Sequence, residues 1–467
     1  MRHAMRVTRQ LRFWAGVRSD GRELNRLVWP IIISRLGILG LFLADFIMVG
    51  HYDAEHIAWL GLGMTPATVF VPVIIGLLMG TMVLVTRAYG AGDYRLCGAI
   101  WRQSLPYALA IGLAGMVFCA GGEWMLLAMG QTPDLAREAG RVSLLVGLSL
   151  PFMTLGMTSG FFLEGLGRVR PVMVFMLLAN ILNVGLNMVL IYGTEILPGF
   201  GAAGAVTATG FARAAMTLGL LAYIWWTPFY AQFGVRQRPP ADARLAGQHR
   251  RIGYAGGISL GVEHLAFAGL TVFAGWLGTT VVAAHSIAMN FFGLCFMFGL
   301  GIGTATSVRV GHAYGAGRSG LMQRAVWFGL AVQMTLMVAV AIGIKTWDVG
   351  VAGLYTRDGL VQPLAGALLA YVSLALCLDT GQVLMAQCLR VSGDVWTPSA
   401  IHVVAYLGVA LPGSWLFAFP LGHGAYGLME GFMLGAGVAF FAGVMRFVWR
   451  MRRLRLKELS FAPAPAE

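Results

Sequence analysis

The stretch TMVLVTRAYGAG at residues 81–92 returns, 225 residues further along the chain, as TSVRVGHAYGAG at residues 306–317. The same offset aligns residues 26–105 with residues 251–330 without a gap. Further identical positions in this alignment include Arg26 and Arg251, Ser34 and Ser259, and Gly76 and Gly301. An ungapped register of this length predicts an internal repeat, in which the two copies fold as similar units. The glycines of each AYGAG motif permit a positive φ, so the motif is predicted to end a helix in a turn.

The composition predicts an integral membrane protein. Of the 467 residues, 58% are hydrophobic and 11% are charged, whereas a soluble domain carries about 25% charged residues. The net charge of +13 is spread over short segments between apolar runs, which is typical of membrane loops, and nucleic-acid binding is not expected. The five cysteines lack the spacing of a zinc site or a disulfide framework. The Arg-rich residues 1–22 lack the apolar core of a signal peptide and are predicted to form a cytoplasmic tail or an interfacial helix.

Twelve apolar runs are long enough to cross a membrane as helices, which requires about 20 residues each. They are predicted at 25–50, 57–82, 98–119, 142–164, 171–193, 204–227, 252–275, 282–308, 322–344, 364–389, 398–419 and 425–448. Arginines are concentrated before the first span, in the second, fourth and sixth loops, and after the last span. Because positive charge marks the cytoplasmic side, both termini are predicted to be cytoplasmic.

The repeat offset contains six spans, so both copies enter the membrane with the same orientation. The predicted fold is therefore all-α, with twelve transmembrane helices in two six-helix pseudo-symmetric lobes around a central cleft. The predicted divisions are a cytoplasmic tail at 1–23, an N-lobe at 24–227, a cytoplasmic inter-lobe loop at 228–250, a C-lobe at 251–448 and a cytoplasmic tail at 449–467.

Three acidic residues lie well inside predicted spans, where a charge is costly and is a candidate functional group. They are Asp45 in the first span, Glu263 in the seventh and Asp379 in the tenth. A carboxylate surrounded by hydrocarbon is stabilised when it binds a proton or a cation, so the three are predicted to couple ion movement to transport. The alternative for each is a buried carboxylate that only bonds to a neighbouring helix.

Polar residues near these acids are predicted to support them. Three asparagines recur at spacings of three and four and therefore share one face of the fifth span: Asn180, Asn183 and Asn187. They could hold Asp45 or a water molecule, or bond only between helices. His264 and Asn290 are predicted as further supporting residues.

Six stretches resemble the multidrug and toxic compound extrusion (MATE) transporters, in particular their NorM-like branch. They are ADFIMVGHYDAEHIAWLGLG at 44–63, YGAGDYRLCGAIWRQSL at 89–105, EGLGRVRP at 164–171, VVAAHSIAMNFFGLCFMF at 281–298, SVRVGHAYGAG at 307–317 and LDTGQVLMAQCLRVSGD at 378–394. The resemblance covers residues 24–448 and implies a protein of the bacterial inner membrane that exports organic cations in antiport with Na⁺ or H⁺. It implies contact with membrane lipid, no obligate protein partner, no enzymatic activity and no cofactor beyond the coupling ion.

The resemblance also implies roles for the three acids, which match acidic positions of the family in the first, seventh and tenth helices. Glu263 and Asp379 are implied to bind Na⁺ if the protein is sodium-coupled. Two positions depart from the family pattern. Asn187 stands where a related branch has Asp, which argues against a relay of two aspartates in the N-lobe. Ala375 stands where some Na⁺-coupled relatives have Tyr, which leaves the coupling ion open.

Other functions remain open at the level of sequence. A flippase for lipid-linked saccharides would share the fold but would place cationic residues in the cleft. An intramembrane enzyme would need a nucleophile–base or metal constellation, and no such spacing is present. An ion channel would not need two lobes. Arg35 and Arg213 lie within spans and are expected to pair with carbonyl oxygens or acids, without a further role, and the sequence assigns no role to Glu430.

Overall fold

The computed structural model describes residues 2–237 and 242–460. Over these residues the regular structure is helical, and twelve helices are long and apolar enough to cross a membrane, which confirms the predicted number. The spans are α1 (Asp20–Tyr52), α2 (Ala54–Gly90), α3 (Tyr94–Ala120), α4 (Pro133–Gly165), α5 (Arg170–Tyr192), α6 (Gly201–Trp226), α7 (Ala243–Leu277), α8 (Thr279–Gly315), α9 (Ser319–Thr346), α10 (Val361–Val391), α11 (Thr397–Ala418) and α12 (Gly424–Leu454). Parts of the predicted tails and inter-lobe loop, at residues 1, 238–241 and 461–467, lie outside the described residues.

Several helices extend beyond the predicted apolar runs, because a helix can continue into the polar surroundings of the membrane. The fourth span begins at Pro133 rather than near 142, and its early turns carry Glu138 and Arg141, a pair 3.4 Å apart. The helix that contains α1 starts at Arg2, and the helix that contains α12 continues to Ser460. Shorter helices lie between spans at Gly122–Ala128, Pro228–Phe233 and Asp348–Gly353.

Both copies of the AYGAG motif end a helix, as predicted. The chain turns after α2 at Gly92, whose φ is +77°, and after α8 at Gly317, whose φ is +68°. In the first turn the Asp93 amide donates to the carbonyl oxygen of Ala88 at 3.0 Å, and the equivalent bond in the second turn is 2.9 Å long. Residues other than glycine rarely adopt a positive φ, which explains why the last glycine of the motif is repeated.

The helices pack into two compact units. The N-unit comprises Ile33–His264, and the C-unit comprises Met1–Ile32 together with Leu265–Glu467, as far as these ranges are described. Their bounds are offset from those of the predicted lobes at α1 and α7, because each of these long helices is divided between the units. Both cores are apolar, with fully buried residues that include Leu60, Leu150 and Ile191 in the N-unit and Leu368, Leu384 and Phe432 in the C-unit.

Two glycines that the repeat aligns have the same packing role in their respective units. In the N-unit, α2 lies so close to α7 that a Cβ on Gly256 would be 2.6 Å from the carbonyl oxygen of Gly76. In the C-unit, a Cβ on Gly301 of α8 would be 2.5 Å from Cγ1 of Ile32 on α1. Glycine lets two membrane helices approach more closely than a larger residue would. Equivalent close contacts between helices therefore explain why positions 76 and 301 are both glycine.

Three glycines on α12 form a ladder against α11 within the C-unit. Gly427, Gly431 and Gly435 are spaced by four residues and share one helix face. A Cβ on Gly431 would overlap the backbone of Ser414, and a Cβ on Gly435 would be 2.7 Å from the carbonyl oxygen of Ala405. Small residues at this spacing are typical of close helix packing in membranes. We refer to these three residues as the glycine ladder.

Gly431→Ala is expected to destabilise the protein by about 1–3 kcal/mol, because the added methyl group has no space beside Ser414. Gly437→Ala on the same helix is the matched control, since its Cβ would be at an ordinary 3.7 Å from Leu378 Cδ1. The control is expected to be neutral or stabilising by up to about 1 kcal/mol, because Ala favours a helix over Gly. Thermal unfolding of both purified variants in detergent measures the difference, and equal melting temperatures would contradict the packing argument.

Candidate functional site

Asp45 is enclosed by hydrogen-bond donors from two other helices of the N-unit. It lies on α1 and is fully buried. Its Oδ1 accepts hydrogen bonds from the side-chain amides of Asn187, at 2.8 Å, and Asn183, at 3.2 Å, both on α5. Its Oδ2 accepts a hydrogen bond from the hydroxyl of Thr209 on α6, which itself accepts one from Asn183 at 2.8 Å. Donors on every side suit an ionised carboxylate, which accepts hydrogen bonds and donates none.

The three asparagines of α5 divide into two sets. Asn183 and Asn187 contact Asp45, whereas Asn180 donates to the carbonyl oxygens of Gly37, at 3.0 Å, and Met176, at 2.9 Å. Asn180 therefore connects α5 to α1 at a distance from the carboxylate. The side-chain oxygen of Asn187 is buried and accepts no hydrogen bond from any residue that the structure describes.

Two arginines inside spans of the N-unit have polar partners. Arg35 on α1 donates from one guanidinium nitrogen to both carboxylate oxygens of Glu164 on α4, at 3.0 and 3.1 Å. Arg213 on α6 donates to the Ser149 hydroxyl at 2.8 Å and is attracted electrostatically by Asp45. The expected pairing with an acid is therefore found for Arg35, whereas Arg213 bonds to a hydroxyl.

Asp379 is the central residue of a second polar group, in the C-unit. It lies on α10 and is fully buried. The hydroxyl of Tyr406 on α11 donates to its Oδ1 at 2.5 Å, and the side-chain amide nitrogen of Gln382 lies 3.0 Å from that hydroxyl and 3.4 Å from the same carboxylate oxygen. Asp379 Oδ2 and Gln382 Oε1 are buried and have no hydrogen-bond partner among the described residues. Oxygen atoms of this kind are ligands that hard cations prefer.

The tyrosine of this group lies on an unusual part of α11. This span consists of an α-helix at Thr397–His402, a π-helical section at Val403–Ala410 and an α-helix at Leu411–Ala418. A π-helix is rare, and short π-helical sections are frequent at functional sites. Tyr406 lies in the middle of the section, so the local widening of the helix contributes to the position of its hydroxyl.

The third predicted acid, Glu263, is buried on α7 with 2% of its surface exposed. It belongs to the N-unit, whereas Asp379 belongs to the C-unit. A Na⁺ site that uses both residues therefore stays a prediction. Among the described residues, no three His, Cys, Asp or Glu side chains are placed to hold a metal ion together.

The two remaining predicted supporting residues lie at exposed positions. Nδ1 of His264 is 2.9 Å from the carbonyl oxygen of Leu260, one turn earlier on α7. The side-chain oxygen of Asn290 on α8 accepts a hydrogen bond from the Tyr355 hydroxyl at 3.1 Å. The support of coupling by His264 and Asn290 stays a prediction.

Three residues of the two polar groups are absent from the sequence prediction: Thr209, Gln382 and Tyr406. Each has a signal in the sequence that could have found it. Thr209 precedes Arg213 by four residues, Gln382 follows Asp379 by three, and Tyr406 follows His402 by four. Residues at these spacings share a helix face, so each pair marks a polar stripe on an otherwise apolar helix.

Two further acids of the C-unit have basic partners. Asp394, in the loop after α10, accepts hydrogen bonds from Arg446 at 2.6 Å and from the Thr397 hydroxyl at 2.7 Å. Burial alone raises the pKa of Asp394, but these bonds and the charge of Arg446 together hold it below its ordinary value. Oε2 of Glu430 on α12 lies 2.6 Å from Nδ1 of His423, so this acid has a polar partner in the loop before α12.

Known proteins resemble this chain over nearly its whole length. The family model described as MatE matches residues 30–189 and 258–416. The chain is 36% identical to a probable multidrug resistance protein NorM from Caulobacter vibrioides, and the match covers 94% of both sequences. It is 30% identical to the multidrug resistance protein PmpM from Pseudomonas aeruginosa, with 98% of both sequences covered.

Solved structures share the arrangement of helices. A crystal structure of MATE in the bent conformation is similar with a TM-score of 0.86 at 21% identity, covering 94% of this chain and 97% of that chain. A crystal structure of the eukaryotic MATE transporter AtDTX14 is similar with a TM-score of 0.85 at 18% identity, covering 95% of this chain and 99% of that chain. Both structures have the same all-helical fold as this chain.

Proposed function

Because the chain belongs to the MatE family and is a multidrug efflux transporter, we propose that it exports organic cations in exchange for Na⁺ or H⁺ by alternating access. One observation carries this proposal. Asp45 and Asp379 are both fully buried inside spans, and each is held by hydrogen-bond donors from neighbouring helices. Acidic residues inside a membrane mark the paths of ions and substrates, because their burial is costly.

The charges of the N-unit favour a cationic cargo over a lipid-linked saccharide. A flippase that grips a pyrophosphate needs cationic side chains that are available to its cargo. Here Arg35 is paired with Glu164, and Arg213 bonds to Ser149 beside Asp45. Both guanidinium groups are thus already engaged, whereas a drug cation would be attracted by the carboxylate of Asp45.

Protonation is the proposed means by which the N-unit releases its cargo. A protonated Asp45 no longer attracts a cation, and it must donate a hydrogen bond where the ionised form accepts one. The side-chain oxygen of Asn187 is an available acceptor, since the amide could rotate to receive the proton of Asp45. The polar surroundings of Asp45 can therefore accommodate both protonation states.

Cation binding is the proposed function of the group around Asp379. Asp379 Oδ2 and Gln382 Oε1 are two buried oxygen atoms that could bind the coupling ion. Glu263 is proposed as a further coupling carboxylate, on the basis of its burial in a span. If the coupling ion lowers the affinity for the cargo, linkage requires that the cargo lower the affinity for the ion by the same factor.

The chain is a multi-pass protein of the bacterial inner membrane. We propose that both termini are cytoplasmic, which is supported by the arginines near the first residue of α1, at the start of α7 and at the end of α12. The named relatives are transporters, and we propose neither an enzymatic activity nor a cofactor beyond the coupling ion. Membrane lipid is the proposed surrounding, with no obligate protein partner.

Ethidium movement in proteoliposomes tests this function, with a Na⁺ gradient or a pH gradient imposed separately. We expect one of the two gradients to drive ethidium against its own gradient. Movement driven by Na⁺ alone assigns the coupling to the group around Asp379, and movement driven by the pH gradient alone assigns proton transfer to the carboxylates. If neither gradient drives uphill movement of ethidium by correctly inserted protein, antiport of organic cations is contradicted.

A further inference from the structure

A cavity of about 300 Å³ lies in the N-unit, apart from the acidic groups described above. It is bordered by α2, α3 and the first turns of α7, and its polar lining includes Gln103, Tyr107, His249 and Arg250. Its volume is at the lower end of the range for small-molecule sites, about 300–1,000 Å³. The cavity is therefore large enough for a small polar group.

The walls of the cavity are held in place by hydrogen bonds between helices. His249 is 94% buried, and its Nε2 lies 2.9 Å from the hydroxyl of Thr81 on α2. The Tyr107 ring packs edge-on against the His249 ring, with centroids 5.2 Å apart. Gln103 on α3 donates to the backbone carbonyl of Asp242, just before α7, at 2.8 Å. The shape of the cavity is thus fixed by contacts that do not depend on a ligand.

The charge of the cavity is positive. Arg250 is on its border and forms no ion pair with a residue that the structure describes, and the described lining contains no acidic side chain. Tyr107 and Arg250 both line this cavity. A guanidinium group with a neighbouring hydroxyl is suited to bind a phosphate oxygen.

The repeat provides a comparison, because the equivalent place in the C-unit is occupied by the protein itself. At the offset of 225 residues, Leu84 and Gln103 correspond to Arg309 and Phe328. Arg309 donates to Asp20 at 2.6 Å, and Asp20 also pairs with Arg324 at 2.5 Å.

An aromatic ring, that of Phe328, stands in the C-unit at the position of Gln103. A Cβ on Gly21 would be 3.8 Å from Cζ of Phe328, so the ring lies against the backbone of the first helix. At this place the C-unit pairs two arginines with Asp20 and Glu23, whereas the N-unit has a cavity bordered by an arginine without an ion pair to a described residue. This difference between two copies of one repeat points to a ligand site in the N-unit that the C-unit copy lacks.

We propose that the N-unit cavity binds a phosphate group, held by Arg250 on α7 and by the hydroxyl of Tyr107 on α3. Basic pockets between membrane helices on the cytoplasmic side bind lipid headgroups, and the start of α7 is cytoplasmic in the orientation proposed above. The phosphate can belong to an anionic lipid of the inner leaflet or to a soluble anion. In either case it bridges α3 and the first turns of α7 and stabilises the N-unit.

Binding to the full-length protein tests the proposal independently of transport. Delipidated protein in detergent is titrated with phosphatidylglycerol and, separately, with inorganic phosphate, and binding is followed by native mass spectrometry and by the rise in melting temperature. Arg250→Gln is expected to weaken binding by about fivefold or more, since one basic residue near a phosphate contributes about this factor. Gln103→Phe introduces the residue that the C-unit has at this position, and its ring is expected to occupy the cavity and abolish binding.

Arg251→Gln is the matched control, because Arg251 is exposed and adjacent in sequence but does not line the cavity. It is expected to bind as the wild type does. Phosphatidylglycerol binding that is lost in both cavity variants identifies a lipid headgroup as the ligand, and inorganic phosphate binding with the same dependence identifies a soluble anion. Equal affinities of the wild type and both cavity variants for both probes overturn the proposal, and so does an equal loss in Arg251→Gln.

Discussion

Asp379→Asn is expected to reduce gradient-driven efflux by roughly 100-fold while the protein stays folded. Asn has the shape of Asp, and its side-chain oxygen can still accept the hydrogen bond from Tyr406. The variant loses the negative charge and Oδ2, the buried oxygen that we assign to the coupling ion. Uphill ethidium movement in proteoliposomes measures the loss, and the thermal unfolding of the same preparation reports whether the fold is retained.

Asp358→Asn is the matched control for this variant. Asp358 lies in the exposed loop before α10, where the backbone amides of Val361 and Leu360 donate to it and lower its pKa. It is therefore ionised at neutral pH, as a coupling carboxylate must be to bind a cation, and Asn can accept the same two hydrogen bonds. The control is expected to transport as the wild type does. Wild-type uphill efflux by Asp379→Asn would exclude Asp379 from the coupling mechanism.

Asp45→Asn is expected to weaken the binding of a cationic drug by at least about tenfold. A charge a few ångströms from a cation contributes more than about 1.4 kcal/mol in a partly desolvated site, which corresponds to this factor. The Thr209 hydroxyl oxygen can accept a hydrogen bond from the new amide, and Oδ1 of the new residue still accepts those from Asn183 and Asn187, so most hydrogen bonds around residue 45 are retained. Fluorescence anisotropy of ethidium on the purified protein measures the affinity, and proteoliposome efflux measures the consequence for transport.

Thr209→Val separates the charge of Asp45 from its hydrogen bonds. Val has nearly the shape of Thr and leaves the carboxylate in place. It removes the hydrogen bond to Oδ2 and the one that Thr209 accepts from Asn183, while Asn183 keeps its bond to Oδ1. We expect the ethidium affinity of this variant to fall by less than about fivefold, since a hydrogen bond is worth near 1 kcal/mol at most sites and the charge remains. If Thr209→Val lost as much affinity as Asp45→Asn, or if Asp45→Asn bound ethidium as the wild type does, the charge of Asp45 would not be what attracts the cargo.

The sequence predicted those features that depend on a local pattern. Each span is a long apolar run, and each AYGAG turn depends on a glycine with positive φ, so both follow from the residues within one segment. The spacing of Asn183 and Asn187 places them on one helix face, and their contact with Asp45 is one of the alternatives that the sequence left open. The local pattern therefore included the two asparagines that contact Asp45 but not Thr209.

The remaining contacts of the two polar groups depend on which helices pack together, and no single stretch of sequence contains that information. Thr209 and Tyr406 contact Asp45 and Asp379 from α6 and α11, which lie far from these acids in sequence. The division of α1 and α7 between the two units has the same origin, since an apolar helix face fits several neighbours equally well. The backbone contact between Gly76 of α2 and Gly256 in the N-unit part of α7 is an example of a contact that is seen only in the folded chain.

The glycine ladder of α12 links helix packing to ion coupling. Gly435 lies against the carbonyl oxygen of Ala405, the residue before Tyr406, and Tyr406 bonds to Asp379. A larger residue at position 435 is expected to press on the π-helical section and to move the tyrosine hydroxyl away from the carboxylate. Such a substitution would then impair transport although every coupling residue is unchanged.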